Sequence, residues 1–284
     1  VYMEEYKLRI AKASKLIRDA DCVLIGAGAG LSSAAGLEYS GDNFQENYRD
    51  FIEKYNFSDL YSASFYEFET QEEKWAFFAR MIELNRYNKK PLELYEKLYK
   101  LIGNKQYFVL STNVDGQFYN SGFDKNNVFE VQGDYQFLQC KKACHNKLYD
   151  NKFLVKKWLC NTIDCKIPTD MVMKCPVCGG NMDMNLRKDD NFIQDKNWYD
   201  MAQRYEDFLT GIIDKNTVLL EIGVGFNTPG IIRFPFEQMV ANNDKIKLIR
   251  INKNDITPLL DIEYKSVFFN EETNKVIKDL KENI

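Results

Sequence analysis

Five apolar segments, each ending in glycine or a polar residue, constrain the fold of this chain more than any other feature. The segments are CVLIGAGAG, QYFVLSTN, VFEVQG, TVLLEIGVG and KIKLIRINK. Short apolar runs closed by turn residues are typical of buried strands, and helical spacing in residues 4–19 and 198–213 places helices between them. The alternation predicts an α/β fold with a parallel sheet, whose ligands bind at the carboxyl ends of the strands.

The polar strand ends indicate where a ligand would bind. They lie near Gly28, Asn113, Gln132 and Gly225. Because the carboxyl ends of parallel strands meet at one edge of a sheet, we expect these four positions to converge on one crevice.

Two stretches depart from the alternating pattern. Residues 44–102 are helical and rich in aromatic side chains, and residues 138–183 hold most of the seven cysteines. We therefore predict a Rossmann-like domain built from residues 1–43, 106–137 and 186–284. A helical insert of a small domain is expected at 44–105, and a zinc-binding module at 138–185.

Charge and length exclude several classes of protein. The 284 residues suffice for one large domain with a small insert. With 38 Lys and Arg against 42 Asp and Glu, the net charge of −4 gives no global attraction to nucleic acid or anionic lipid. The N-terminal segment has no apolar signal core, and no apolar run reaches the about eighteen residues of a membrane span. We expect a cytoplasmic protein with no nucleic-acid or membrane partner.

The glycine-rich turn GAGAGLSSAAG follows the first predicted strand. Gly26, Gly28 and Gly30 would let the backbone approach a phosphate, and the next helix would direct free N–H groups at the anion. Ser33 stands where the usual dinucleotide fingerprint has its third glycine. A tight strand-to-helix turn without a ligand is the alternative.

Two cysteine pairs have the spacing of metal ligands. CKKAC supplies Cys140 and Cys144, and CPVCGG supplies Cys175 and Cys178. Such pairs favour a closed tetrahedral structural zinc site. The wider spacing of the first pair leaves Cys160, Cys165 or His145 open as a substitute ligand, and a redox dithiol is the rival interpretation.

The segment STNVDG brings Ser111, Asn113 and Asp115 to a strand end. Asn and Asp at such positions often make only turn hydrogen bonds. A functional role depends on the other motifs.

In this order, the motifs resemble the sirtuin family over residues 20–270. Gly28-Ala29-Gly30 followed by Gly36 resembles its first NAD motif, and STNVDG resembles its TQN-I-D-G segment. VQGD stands where sirtuins have the catalytic His-Gly, the cysteine pairs resemble the sirtuin zinc ribbon, and IGVG and RIN resemble the later cofactor segments.

The resemblance implies NAD as co-substrate and a structural zinc. It assigns the NAD-binding positions to Gly28, Ala29, Gly30, Ser111, Asn113, Asp115, Gln132, Gly223, Gly225 and Asn252. It assigns the zinc to Cys140, Cys144, Cys175 and Cys178.

The principal departure from sirtuin deacylases is Gln132 in place of their histidine. In deacylation the acyl oxygen displaces nicotinamide, and the histidine then activates a ribose hydroxyl. An amide accepts no proton near neutral pH, so general-base help of roughly 10²–10⁴-fold is missing. Cleavage of the bond between nicotinamide and the ribose needs positioning and charge stabilisation more than a base, and remains feasible.

Two further segments depart from the deacylase pattern. The acyl-peptide strand is replaced by RKDDNFIQD, whose Asp189, Asp190 and Asn191 disfavour strand addition. The Pro-Asp-Phe-Arg segment is replaced by LEYSGDNF, which leaves Phe44 as the candidate for the nicotinamide cage.

An amide at this position together with STNVDG resembles the macrodomain-linked sirtuins, called class M. These are bacterial protein ADP-ribosyltransferases encoded beside a macrodomain hydrolase, a lipoate–protein ligase and a glycine-cleavage H-like carrier, which is the target once lipoylated. The resemblance implies that Asn113 holds the nicotinamide-side ribose or the incoming group. It further implies that Asp115 orients the nicotinamide amide and Gln132 binds ribose hydroxyls.

We therefore expect an NAD-dependent protein ADP-ribosyltransferase with Asn113, Gln132 and Asp115 as catalytic residues. The alternatives are an NAD glycohydrolase, a weak deacylase and a non-catalytic NAD sensor.

Overall fold

The structure is a computed structural model that describes residues 2–37, 40–87 and 90–284. Its strands are β1 (Cys22–Ala27), β2 (Gln106–Ser111), β3 (Val128–Glu130), β4 (Gly133–Cys140), β5 (Tyr149–Asp150), β6 (Met182–Leu186), β7 (Thr217–Ile222), β8 (Ile246–Ile251) and β9 (Ser266–Phe269). Its α-helices are α1 (Tyr2–Asp19), α2 (Ala29–Ala34), α3 (Asp42–Asn47), α4 (Arg49–Tyr55), α5 (Leu60–Ser64), α6 (Gln71–Asn85), α7 (Glu93–Ile102), α8 (Gln117–Asn120), α9 (Lys152–Asn161), α10 (Lys196–Gly211), α11 (Arg233–Asn242) and α12 (Thr273–Glu282). None of these helices is long and apolar enough to cross a membrane.

A six-stranded parallel sheet forms the larger part of the fold. Its strand order is β3-β2-β1-β7-β8-β9, and every neighbouring pair is parallel. The central strand β1 is buried along its whole length, as expected for a parallel sheet covered on both faces. The predicted α/β class with a Rossmann-like parallel sheet is confirmed.

Helices cover the two faces of this sheet because side chains alternate along each strand. Val23 and Ile25 of β1 belong to the core that includes buried residues of α1, α7 and α12. Leu24 belongs to the opposite core, with buried residues of α10 and α11. The sheet is therefore the middle of three layers.

The chain divides into two compact units. The first comprises the described residues of 1–35, 90–132 and 196–284, and the second those of 36–89 and 133–195. This division differs from the predicted one at residues 90–105, which the sequence pattern places in the helical insert. The reason is that α7 buries Leu94, Leu98 and Leu101 in the core of the parallel sheet.

The other boundaries also differ from the predicted positions. The small module was predicted to begin at residue 138, but β4 already begins at Gly133 and pairs antiparallel with β6. The second unit also continues past residue 185, to residue 195. The apolar pattern of the segment VFEVQGD did not mark where one sheet ends and the other begins.

The second unit contains the antiparallel sheet β5-β4-β6 and an aromatic core. Trp75 of α6 stacks on Trp158 of α9, with ring centroids 5.1 Å apart. Phe44, the candidate for the nicotinamide cage, is only 1% exposed and stacks on Tyr48 within this core. Its ring therefore serves packing in the second unit.

A substitution at Gly26 tests how closely α11 and the residue before it pack on β1. A Cβ atom at this position would lie 2.5 Å from Ile232 Cγ2 and 2.6 Å from Phe236 Cε2. We expect Gly26→Ala to lower the free energy of unfolding by about 1–3 kcal/mol, because the helix must shift. Gly211→Ala is the matched control, since outside its own helix and chain neighbours no heavy atom in the described part of the protein lies within 4 Å of the added Cβ. Chemical denaturation checks both variants, and equal stability of the two would contradict this packing.

Candidate active site and metal centre

The strands of the parallel sheet end in register at their carboxyl edge. Ala27 of β1 pairs with Ser111 of β2 and with Ile222 of β7. Ser111 in turn pairs with Glu130 of β3, and Ile222 pairs with Ile251 of β8. Strand order reverses between β1 and β7, which is the position where open α/β sheets bind ligands.

The predicted site residues follow directly after these strand ends. Asn113 and Gln132 each lie two residues beyond the paired Ser111 and Glu130. They therefore occupy equivalent positions after β2 and β3. Gly223 and Asn252 each lie one residue beyond the next pair, at the ends of β7 and β8. The structure thus brings the predicted strand-end residues to one edge of the sheet.

Three glycines interlock where β1 and β7 end. A Cβ on Gly28 would lie 2.5 Å from the Gly223 carbonyl oxygen, and a Cβ on Gly30 would lie 2.7 Å from Gly223 Cα. Gly223 has a φ of 64°, and its own Cβ would lie 2.3 Å from the Leu31 nitrogen. Only glycine fits at these three positions.

This interlock corrects the predicted role of the turn. The Gly30 N–H donates to the Gly223 carbonyl oxygen at 3.0 Å, so it is not a free donor for a phosphate. The glycines are required primarily for backbone packing. Gly225 differs, because apart from its chain neighbours no heavy atom of the described residues lies within 4 Å of the Cβ it would carry.

A buried hydrogen-bond network joins the turn after β1 to the segment after β2. Ser32 Oγ donates to Asp115 Oδ2 at 2.5 Å and lies 2.6 Å from the Tyr95 hydroxyl. Asn113 Nδ2 donates to the Gly28 carbonyl at 2.9 Å and reaches Ser32 Oγ at 3.5 Å. The network fixes the side chains of Asn113 and Asp115 relative to the glycine turn.

Tyr95 is held in its protonated form. Burial raises its pKa well above the ordinary value, and the charge of Asp115 acts in the same direction. Its hydroxyl can therefore donate to Ser32, whose own proton goes to Asp115. Neither Ser32 nor Tyr95 is among the residues that the sequence motifs indicate. The one available signal was a tyrosine at a core position, whose hydroxyl needs a partner.

Gln132 presents a buried acceptor without a donor. Its neighbour Val131 is fixed, because the Val131 N–H donates to Ser111 O and the Val131 carbonyl accepts from Trp198 Nε1, both at 3.1 Å. Within the described part of the chain, Gln132 Oε1 is buried and has no hydrogen-bond partner. A buried acceptor left without a hydrogen bond costs about 1–3 kcal/mol of folding free energy. This Oε1 is therefore suited to accept a hydrogen bond from a ligand hydroxyl.

The Asn252 side chain forms hydrogen bonds with the backbone of the loops that follow β7 and β8. Its Nδ2 donates to Val224 O at 2.7 Å, and its Oδ1 accepts from the backbone N–H groups of Asn254 and Asp255 at 2.9 and 3.3 Å. Its amide thus links the loop after β7 to the loop after β8.

The four predicted cysteines of the second unit form one cluster. The Sγ atoms of Cys140, Cys144, Cys175 and Cys178 all lie within 4.8 Å of one another. The Cys140–Cys178 and Cys144–Cys175 separations are 3.7 and 3.6 Å. Tetrahedral zinc with bonds of about 2.3 Å needs sulfur atoms about 3.8 Å apart, so the cluster fits this ion.

Local backbone groups favour the thiolate form of Cys175, whereas burial and the neighbouring cysteines raise the pKa of Cys144 to about 12. The backbone N–H groups of Cys178 and Val177 lower the pKa of Cys175 to about 6. His145 lies beside the cluster, with Nδ1 3.1 Å from Cys144 Sγ and Nε2 2.8 Å from the Tyr149 hydroxyl.

The alternative ligands do not join the cluster. Of the residues that the structure describes, the metal-ligand group contains only the four paired cysteines and leaves out Cys160, Cys165 and His145. Cys160 is exposed and Cys165 is buried elsewhere in the second unit.

Comparison with known proteins gives two curated relatives, although no protein-family model matches the chain. The chain is 35% identical over 262 residues to a protein ADP-ribosyltransferase of Staphylococcus aureus, covering 92% of this chain and 83% of that protein. It is 32% identical over 259 residues to a probable bifunctional ADP-ribose hydrolase/ADP-ribosyltransferase of Fusarium oxysporum f. sp. cubense. That match covers 85% of this chain and 42% of the fungal protein.

Solved structures share the fold. A mutant Sir2 homologue in complex with ADP-ribose matches with a TM-score of 0.59 at 16% identity, over 96% of this chain and 95% of that chain. A Sir2 homologue in complex with NAD matches with a TM-score of 0.57 at 16% identity, over 95% and 92% of the two chains.

Removal of one cysteine tests the metal centre. We expect Cys175→Ser to reduce bound zinc from about one ion per chain to near zero and to lower the melting temperature, because structural zinc stabilises its module. Cys160→Ser is the matched control and should retain full zinc, since Cys160 lies outside the cluster. Elemental analysis and thermal denaturation measure both effects. Zinc lost from Cys160→Ser but retained by Cys175→Ser would refute the assignment.

Proposed function

This chain belongs to the sirtuin-type family of protein ADP-ribosyltransferases, and we propose that it transfers ADP-ribose from NAD to a protein side chain. Nicotinamide is the leaving group. The observation that carries the proposal is Gln132, two residues after β3 as Asn113 is after β2, whose buried Oε1 has no hydrogen-bond partner among the residues described.

The described residues fit the nicotinamide-side ribose of NAD. Gln132 Oε1 has no donor in residues 2–37, 40–87 and 90–284, and a ribose hydroxyl would provide one. Asn113 is buried and held by the Gly28 carbonyl, so its amide is pre-oriented at the same sheet edge. Fixed polar groups of this kind lower a barrier by positioning the reacting atoms.

Bound NAD supplies the ADP-ribosyl group and a leaving group that departs as neutral nicotinamide. The bond between C1′ and the pyridine nitrogen breaks, the ring takes its electron pair, and an oxygen of the acceptor side chain bonds to C1′. A carboxylate acceptor needs no deprotonation. Gln132 cannot remove a proton near neutral pH, which separates this reaction from base-assisted deacylation.

Asp115 and Asn113 have distinct proposed roles in the site. Asp115 accepts a hydrogen bond from the Ser32 hydroxyl and would orient the carboxamide of nicotinamide. Asn113 would hold the ribose or the incoming group. Gly28, Ala29, Gly30, Ser111, Gly223, Gly225 and Asn252 would form the rest of the NAD site. Gly28, Gly30 and Gly223 would contribute to this site through the close approach of their backbones.

The proposed protein substrate is a lipoylated glycine-cleavage H-like carrier. This part of the proposal comes from the resemblance to macrodomain-linked sirtuins, which also suggests a macrodomain hydrolase and a lipoate–protein ligase as functional partners in a bacterium. The fungal relative, named for ADP-ribose hydrolase and ADP-ribosyltransferase functions, supports a link between transfer and removal of ADP-ribose.

Zinc would be held by the four clustered cysteines and would have a structural role. Four thiolates leave no open position for a substrate. Reduced thiols are required to bind it, which agrees with a proposed cytoplasmic location.

Transfer of labelled ADP-ribose from NAD tests the proposal. The wild-type chain is incubated with the lipoylated carrier, the unlipoylated carrier or no carrier, and label on protein, free ADP-ribose and nicotinamide are measured. We expect label mainly on the lipoylated carrier. Asn113→Ala should reduce transfer by about 100-fold or more, because one positioned polar contact to the reacting group is lost. Asn126→Ala, at an exposed turn, is the matched control.

The outcomes separate the candidate activities. Nicotinamide release with label only in free ADP-ribose, whichever carrier is present, would identify an NAD glycohydrolase. No nicotinamide release under any condition would overturn the proposed enzymatic function.

A further inference from the structure

Four charged side chains are buried beneath the carboxyl ends of β7 and β8. They are Glu221 of β7, Arg250 of β8, and Arg233 and Glu237 of α11, each no more than 1% exposed. Arg250 makes a bidentate pair with Glu221 at 2.8 and 3.0 Å, and its Nη2 lies 2.9 Å from Glu237 Oε1. The two positive and two negative charges balance. Buried charges that are not paired would be strongly destabilising.

These side chains hold the backbone of the loop after β8, which runs from residue 252 to residue 262. Arg233 donates to the Asp255 carbonyl at 3.2 Å and to the Thr257 carbonyl at 3.1 Å. Glu237 Oε2 accepts from the N–H groups of Leu259 and Leu260 at 2.8 and 3.2 Å. The loop contains no helix or strand, so these contacts replace the hydrogen bonds that regular structure would provide.

Arg233 also reaches the loop after β7. Its Nη1 lies 3.4 Å from the Val224 carbonyl, the same carbonyl that accepts from Asn252 Nδ2. Its guanidinium carbon lies 4.1 Å from the ring centre of Phe226, which is 45% exposed. One buried guanidinium therefore contacts both loops that carry the proposed NAD-binding residues Gly225 and Asn252.

We propose that Arg233 is a positioning residue for NAD, which fixes the loops after β7 and β8 in the conformation that binds the dinucleotide. Arg233 acts through the loops and makes no contact with the reacting atoms. The inference rests on the proposed function, because it takes those loops as part of the NAD site.

The physical reason is the geometry of the guanidinium group. The planar guanidinium donates hydrogen bonds to several acceptors at once. A lysine ammonium at the same place keeps the charge but cannot form the same set of hydrogen bonds. Loops without regular hydrogen bonds open at low free-energy cost unless such anchors hold them. Loss of the anchors would force NAD binding to reorder the loops, which weakens affinity without changing the bond-breaking step.

Arg233→Lys tests this role, with Arg9→Lys as the matched control. Arg9 lies in the same unit and, like Arg233, donates to a backbone carbonyl, that of Phe268, while its guanidinium also pairs with Glu271. We expect Arg233→Lys to raise the KM for NAD and the Kd for ADP-ribose by about tenfold while kcat for nicotinamide release stays within about twofold. Hydrogen exchange of residues 252–262 should become faster. Arg9→Lys should leave the KM, the Kd and this exchange unchanged.

Several results would overturn the inference. Unchanged exchange in Arg233→Lys would show that the loop does not depend on this anchor. Faster exchange with unchanged KM and Kd would show that the loops do not shape the NAD site. If Arg233→Lys does not fold, Glu237→Ala removes the acceptor that holds the other end of the loop and should raise the Kd for ADP-ribose. An unchanged Kd then rejects the role. Failure of the proposed function is distinct, because the wild-type chain itself would then transfer no ADP-ribose to a protein.

Discussion

The glycine interlock between the end of β1 and the end of β7 is the constraint on which the candidate site depends. Gly28 and Gly30 approach Gly223 more closely than any side chain would allow, and the Gly30 N–H donates to the Gly223 carbonyl. Because the strands are in register, this contact aligns the positions at which β1, β2, β7 and β8 end and their loops begin. The polar residues after each strand then lie at the same edge of the sheet.

Two polar networks build on that frame and have different consequences. The network of Ser32, Tyr95, Asp115 and Asn113 fixes side chains that would face the reacting end of NAD. The charged group beneath β7 and β8 fixes loop backbone instead. Both are almost fully buried, where an unpaired group is costly, so each favours one arrangement of the strand ends. A site of this kind suits chemistry that relies on positioning.

Local sequence patterns predicted part of this arrangement. Apolar runs closed by glycine or asparagine located the strands, and ligand spacing located the cysteine cluster, because both signals lie within short segments. The contact between Ser32 and Tyr95 joins residues 63 positions apart, and the pair of Glu221 with Arg250 joins positions 29 apart. Periodicity carries no information about such partners. For the same reason α7 was assigned to the wrong unit, since its apolar face does not specify which core it enters.

The central claim is that nicotinamide is released at a site where no group acts as a base. The pH dependence of kcat for nicotinamide release tests it most directly, with Gln132→His as the comparison. An amide does not titrate, so the wild-type profile should be flat between about pH 6 and pH 9. In the variant, an imidazole with a pKa near 6.5 would change its charge beside the ribose as nicotinamide leaves, and should therefore introduce one titration. A wild-type profile that falls by tenfold per pH unit below a midpoint near pH 6.5 would contradict the account, because it would require a base that the account excludes.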